Sequence, residues 1–322
     1  MARKLFHLFM LVALPTLVLG GFAQAQAEPY KLAIVMPGVI TDKSFNQTCY
    51  EAIMQAKEKL GIEVAYSEKV PQPDQAEALA DYARRGYNLV IGAGGEFQDA
   101  VDRVAKRYPE TMFLVLNGVT AYENVAIARF HYEALAYALG HIAGRMTESG
   151  TVAFIGGQQI AFSMQLLEGY TNGFNKARPD GKMLVAWTND WDDISKGKEA
   201  ALSVISQGAD MVFPTMDNAI VGSFQGAKEQ HKWAFGIYFD AYGDWPDTIL
   251  QSAIMKWGPA LMEIVTIAKD GNLEGKEYLV GLNSPDAASL GTYNPAIPEA
   301  VKAEVEQILA DLKSGKIDPT VK

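Results

Sequence analysis

From Lys31 onward, short runs rich in Val, Ile and Phe alternate with longer amphipathic stretches, and this alternation constrains the fold more than any other property of the chain. A strand buried on both faces reads as a continuous apolar run. Bringing the chain back to the same edge for a parallel neighbour takes about a dozen residues or more, usually as a helix. The pattern therefore predicts βα units around parallel sheets. Strands are expected over 31–37, 62–67, 87–92, 112–116, 125–129, 151–156, 183–187, 210–214, 233–237 and 249–254. Helices are expected over 45–60, 74–85, 97–108, 132–147, 163–176, 194–207, 218–230, 258–270 and 296–314.

That many strands exceed one ordinary open sheet, and domains mostly hold about 100 to 200 residues, so two α/β lobes are expected, each a mostly parallel sheet flanked by helices. The strand ending near Phe130 runs into a helix carrying Ala134, Leu135, Ala138, Leu139 and Ile142, and a fresh βα series opens at Thr151. No Pro- or Ser-rich linker separates the halves and no sequence repeat relates them, so several crossings are expected to form a hinge. We place the first lobe at 28–130 plus 256–282 and the second at 131–255 plus 283–322. Ligands of open parallel sheets sit at the carboxyl ends of the strands. Two such edges facing each other make a cleft.

The N-terminus has a different character. Arg3 and Lys4 precede an apolar run from Leu5 to Leu19, followed by Gly20, Gly21 and a small-residue stretch from Ala23 to Ala27. This order is that of a secretory signal peptide, 1–27, with cleavage expected after Ala27. A spanning helix needs roughly 20 apolar residues, and glycines and glutamines intervene first. No cysteine lies near the cleavage point, so a lipid anchor on an N-terminal cysteine is not expected and the chain is read as free in the periplasm. Removing Arg3 and Lys4 with the leader takes the formal charge from −10 to −12, which argues against nucleic acid or an anionic membrane as partner. The lone cysteine, Cys49, excludes an internal disulfide and a thiolate metal cluster.

The loop after the first expected strand, Pro37 to Gln47, places Asp42, Ser44, Phe45 and Asn46 together at a helix N-terminus, where free backbone N–H groups also point outward. Read from local chemistry, it is a helix cap: Asp42 or Ser44 caps, Phe45 staples into the core and Asn46 is solvated. A second reading comes from a resemblance. DKSFNQ after a first strand, followed by KEKLGIEV, DYARRGYNLVIGAG, KRYPETMFLVLNG, GTVAFIGG, EGYTNGF, the stretch from Asp190 to Phe213, SAIMKWG and DLKSGKI, resembles in order and spacing the basic membrane protein family of ABC-transporter substrate-binding proteins, which are purine-nucleoside-receptor-like. The likeness covers essentially the whole mature chain.

The resemblance implies a type I periplasmic-binding-protein fold and a mechanism in which a flat heterocycle is gripped between aromatic rings while carboxylate, amide and lysine groups hold its edge or sugar. Phe45 and Asn46 would supply a ring face and an amide, and Asp42 and Ser44 would contact the ligand or shape the loop. Trp191, between Asp190 and Asp192, stands where the family carries a stacking aromatic. Lys256 matches a ribose-contacting lysine; set between Met255 and Trp257, it would need a partner or a ligand oxygen if buried. Asp240 lies one or two positions from the family's sugar-binding carboxylate, and Tyr238 stands where that acid is usual. Two further departures concern Gly92 to Asp99, where Phe97 or Glu96 would replace an aromatic, and Met216, Asp217 and Asn218, which replace a glycine-rich segment. A missing sugar acid and a fuller loop suit a free purine base or another compact heterocycle instead of a full nucleoside, and a flavin-like compound is a further alternative.

Catalytic patterns are absent from the sequence. Gly92, Gly94 and Gly95 follow a third strand, and a dinucleotide fingerprint would need glycine where Phe97 stands. There is no nucleophile elbow and no phosphate loop. His131, His141 and His231 are dispersed without metal-ligand spacing, and Asp192 and Asp193 are expected to cap the following helix. No cofactor or metal is expected. The expected partners are a small heterocycle and a membrane permease, with the chain monomeric; a sensing module that presents the same closed lobes to a membrane receptor is the alternative.

Overall fold

The computed structural model describes residues 29–41 and 45–321. The expected leader and the loop residues Asp42 and Ser44 lie outside these. The chain runs β1 (Lys31–Val35), α1 (Phe45–Leu60), β2 (Glu63–Ser67), α2 (Gln75–Arg84), β3 (Leu89–Gly92), α3 (Gln98–Ala105), β4 (Met112–Leu116) and β5 (Val125–Phe130). It continues through α4 (Tyr132–Met146), β6 (Thr151–Gly156), α5 (Ala161–Ala177), β7 (Lys182–Trp187), α6 (Ile194–Ser206), β8 (Met211–Thr215), α7 (Ala219–Glu229), β9 (Trp233–Tyr238) and β10 (Ile249–Met255). The last elements are α8 (Trp257–Lys269), β11 (Glu277–Val280), β12 (Ala288–Leu290) and α9 (Glu299–Lys313).

Two sheets result, ordered β11-β5-β4-β3-β1-β2 and β12-β10-β9-β8-β6-β7. All pairings between named strands are parallel except β12, which joins β10 antiparallel. The two orders are equivalent position by position, and each sheet takes its last strand from the C-terminal part of the chain. β11 and β12 are absent from the sequence-based expectation; at four and three residues they carry too short an apolar pattern to register.

Side-chain alternation along the strands divides the interior into layers. Leu32 and Ile34 of β1, with Val152 and Phe154 of β6, enter one continuous core shared by both lobes. Ala33 and Val35 face a second core with residues of α2 and α3, and Ala153 and Ile155 face a third with residues of α6 and α7. Each fully buried Val, Leu, Ile or Phe contributes about 1.5–3 kcal/mol to these layers.

The chain crosses between the sheets after β5, after β10, and between β11 and β12. The crossings are bonded to one another: the His131 N–H donates to the Val280 carbonyl at 2.7 Å and the Lys256 N–H to the Ala287 carbonyl at 2.8 Å. After β5 the chain enters α4, which packs on α5 of the second lobe; after β10 it enters α8, which packs on α1 of the first. The α4–α5 contact is close enough to need glycine. A Cβ on Gly140 would lie 2.1 Å from the Tyr170 carbonyl oxygen, and one on Gly173 would lie 2.0 Å from that of Tyr137.

His131 sits in the first crossing, where burial pushes its imidazole below the usual 6.5 against the opposing charge of Glu133. The unfolded chain then binds more protons than the folded one as pH falls through 6.5, so this group's stabilising contribution is present above that value and lost on acidification. His131→Gln should flatten the dependence of the urea midpoint on pH between about 7 and 5. An unchanged slope would remove His131 as its source.

Candidate functional site

The carboxyl ends of the strands converge at the crossings, because Phe130 ends β5 and Met255 ends β10 immediately before the chain changes sheet. The loops beyond β1, β3 and β4 of one sheet and β6 to β9 of the other therefore flank an interlobe cleft. A recess of about 370 Å³ lined by Tyr87, Asn88, Arg107 and Tyr108 lies instead around the amino ends of β3 and β4, the wrong edge for a ligand of a parallel sheet.

A continuous path of aromatic contacts joins the two walls of the cleft through the hinge. Phe45 meets the edge of Trp257 at 6.0 Å between ring centroids, Trp257 meets Phe130 at 4.8 Å, and Phe130 meets Tyr132 at 6.0 Å. Tyr132 then meets Phe162 at 5.6 Å, and Phe162 stacks on Trp191 at 5.6 Å with 24° between planes. Tyr132 also donates its hydroxyl to Asn117 Oδ1 of the first lobe at 2.8 Å. Sequence reasoning selected the two ends of this path, Phe45 and Trp191, and missed the four rings between them. Their sequence signal was slight: Phe130 and Tyr132 bracket the first crossing, Trp257 follows the second, and Phe162 opens a helix after a diglycine turn.

Trp191 is half-buried in a loop that is otherwise polar. Its ring lies against Gly157, where a Cβ would come within 2.3 Å of the indole, and its carbonyl accepts the N–H groups of Asp217 and Ala219 at 3.0 and 3.1 Å. The loop is braced by charge. Lys196 donates to Asp190 at 2.8 Å and, with the backbone N–H groups of Asp192 and Asp193, holds the Asp190 carboxyl down at about 2. Asp193 caps α6 through the N–H groups of Ser195 and Lys196. Asp192, expected to share that role, instead accepts the Asn218 amide at 3.0 Å, so Asn218 is engaged within its own lobe.

The remaining candidates divide by what holds them. Asn46 folds back to accept the Gly38 N–H at 3.2 Å, over a backbone that has no room for a Cβ. Phe45 is packed edge-on against Trp257 and offers less ring face than expected. Phe97 is fully buried beneath Gly92 and anchors its loop, so as a ligand-facing ring it is corrected to a core residue. Asp240 is likewise occupied: it accepts from Thr292 Oγ1 at 2.6 Å, the Thr292 N–H at 3.0 Å and the Tyr242 N–H at 3.3 Å. Lys256 is exposed, with no ion pair among the described residues, because the strand-to-helix junction turns it outward from its buried neighbours.

Tyr238 differs from all of these. It has φ of +71°, a left-handed conformation that is costly for a bulky side chain. Its phenol is pushed well above the usual range by desolvation, with the Asp217 carboxylate adding to the effect. A desolvated hydroxyl on a half-buried residue therefore stands where the sequence comparison with the family expected a carboxylate.

Comparison with known proteins supports this assignment of the fold. A purine-binding protein of Brucella abortus is 27% identical over 305 residues, covering 94% of this chain and 86% of the relative. The transcriptional activator protein Med of Bacillus subtilis is 25% identical over 306 residues, covering 94% and 95%. The crystal structure of an ABC-transporter solute-binding protein from Aeropyrum pernix superposes with a TM-score of 0.72 at 23% identity, covering 90% of this chain and 93% of that one. Two mostly parallel sheets joined at a hinge are the periplasmic-binding-protein fold. The family model for PnrA-like ABC-transporter substrate-binding proteins matches residues 30–286, and the chain belongs to that family.

Proposed function

We propose that this chain works outside the cytoplasmic membrane, capturing a purine nucleoside or a related flat nitrogen heterocycle between its lobes and presenting the closed form to an ABC permease. The observation that carries the reading is the aromatic path ending in Trp191, held by Phe162 and Gly157 at the edge of the third core and still half exposed in a polar loop. The name of the Brucella relative as a purine-binding protein supports the same ligand class. No covalent chemistry is required. A ligand that touches both walls stabilises the closed state relative to the open one, and that difference in affinity is the signal a permease reads. The acidic balance of the chain suits basic permease loops.

A narrower reading, a free base in place of a nucleoside, follows from Tyr238. A phenol accepts and donates one hydrogen bond each and cannot bind a vicinal diol as an ionised carboxylate does. Thermal-shift titration of the purified chain with purine bases, nucleosides and riboflavin tests both readings. Stabilisation by none of these would end the heterocycle reading. Bases outranking nucleosides is the expected result, and Tyr238→Asp should move the preference toward nucleosides by about tenfold; an unmoved ratio would return Tyr238 to a structural role.

A further inference from the structure

We propose that Glu96 sets the specificity of the cleft, its carboxylate accepting two adjacent N–H donors, a ring N–H and an exocyclic amine, from the guanine-type edge of a flat heterocycle. The inference rests on the heterocycle reading and adds the chemistry of the edge that is recognised.

Glu96 lies in the loop beyond β3, on the wall opposite Trp191, and the loop is shaped around it. Gly94, at φ +134°, has no Cβ; one placed there would lie 2.1 Å from the Glu96 Oε2. Gly95 runs so close to the neighbouring loop that a Cβ would lie 2.7 Å from the Asn117 carbonyl oxygen. Phe97 is locked beneath Gly92 on the other side. Glycine on one flank and a buried anchor on the other fix where the carboxylate stands.

The state of the carboxylate is what distinguishes it. Asp190, Asp192, Asp193 and Asp240, in the loops of the opposite wall, are each held by protein donors. Among the described residues Glu96 has no such neighbour; its one donor is its own backbone N–H. It is open to water, yet desolvation raises its carboxyl above the usual range. An ionised carboxylate offers two coplanar acceptors, the complement of two parallel N–H donors, and it repels a ligand that brings a carbonyl to the same place.

The test uses the full mature chain titrated with guanine and with hypoxanthine, read by tryptophan fluorescence. Guanine carries the adjacent N–H and amine; hypoxanthine lacks the amine. Guanine should bind about tenfold or more tightly. Glu96→Gln replaces two acceptors by one acceptor and one donor, which match the N–H and carbonyl that guanine and hypoxanthine share, so the ratio should collapse toward one. The unliganded variant should melt no lower than the parent, since a desolvated carboxylate has been removed, and this shows that it is folded. An unchanged ratio with both purines still bound overturns the role of Glu96 and leaves the heterocycle reading standing. Failure of the parent chain to bind either purine overturns the role of Glu96 and the free-base reading, and the titration with nucleosides and riboflavin then decides the heterocycle reading.

Discussion

Trp191→Ala is expected to weaken heterocycle binding by about tenfold to a hundredfold, with the unliganded melting temperature lowered only by the lost packing of the ring on Phe162 and the third core. A stacked aromatic pair contributes roughly 0.5–1.5 kcal/mol beyond burial, and the lost apolar contact adds to it, against about 1.4 kcal/mol for each factor of ten. The loop should keep its course because its backbone does not depend on the ring: Asp190, Lys196 and Asp193 brace it, and the Trp191 carbonyl accepts from Asp217 and Ala219 whatever the side chain. Calorimetric titration checks the first part and thermal unfolding the second. Undiminished affinity would make the indole a lid over Gly157 and Phe162 with no ligand role.

Gly173→Val should do the opposite, lowering stability by about 3 kcal/mol or more through overpacking at a helix contact. Against Gly173 the obstacle is the Tyr137 backbone, with the carbonyl oxygen 2.0 Å and its carbon 2.8 Å from where a Cβ would stand. Backbone in the middle of a helix cannot turn aside as a side chain can, so α4 and α5 must separate. The gain in helix propensity on leaving glycine, up to about 1 kcal/mol, does not offset this. Urea unfolding would show the loss as a lower midpoint with little change in slope. A midpoint near that of the parent would mean that the helices part cheaply and that this contact is not the rigid element it resembles.

The fold was legible because its signal is repeated. Buried strands such as KLAIV and TVAFIG carry apolar runs too short for helices, and the amphipathic stretches between them have the right length for crossovers. Expected helix ends moved by a few residues, as α5 beginning at Ala161 and α9 at Glu299 show. The site was legible only in part, because sequence places a residue on a loop without saying which way it faces. Phe97 turns inward because Gly92 leaves space beneath it, and Lys256 turns outward between two buried neighbours. Asp240 is consumed by Thr292, a partner 52 residues away that no local pattern announces. Glu96 was visible only as a substitute in an altered loop; its lack of a protein donor is a property of the fold.

Each fifth strand hands its following helix to the other lobe, α4 onto α5 and α8 onto α1. The halves are thus clasped by exchanged pieces, and neither contains all the chain that covers its own inner face. A fragment ending at Phe130 would lack α8 and β11 and leave α1 as the main cover on the inner face of its sheet. The protein should accordingly denature in one cooperative transition in spite of its two-lobed shape, and cutting it at the first crossing should yield partners that acquire structure only when mixed.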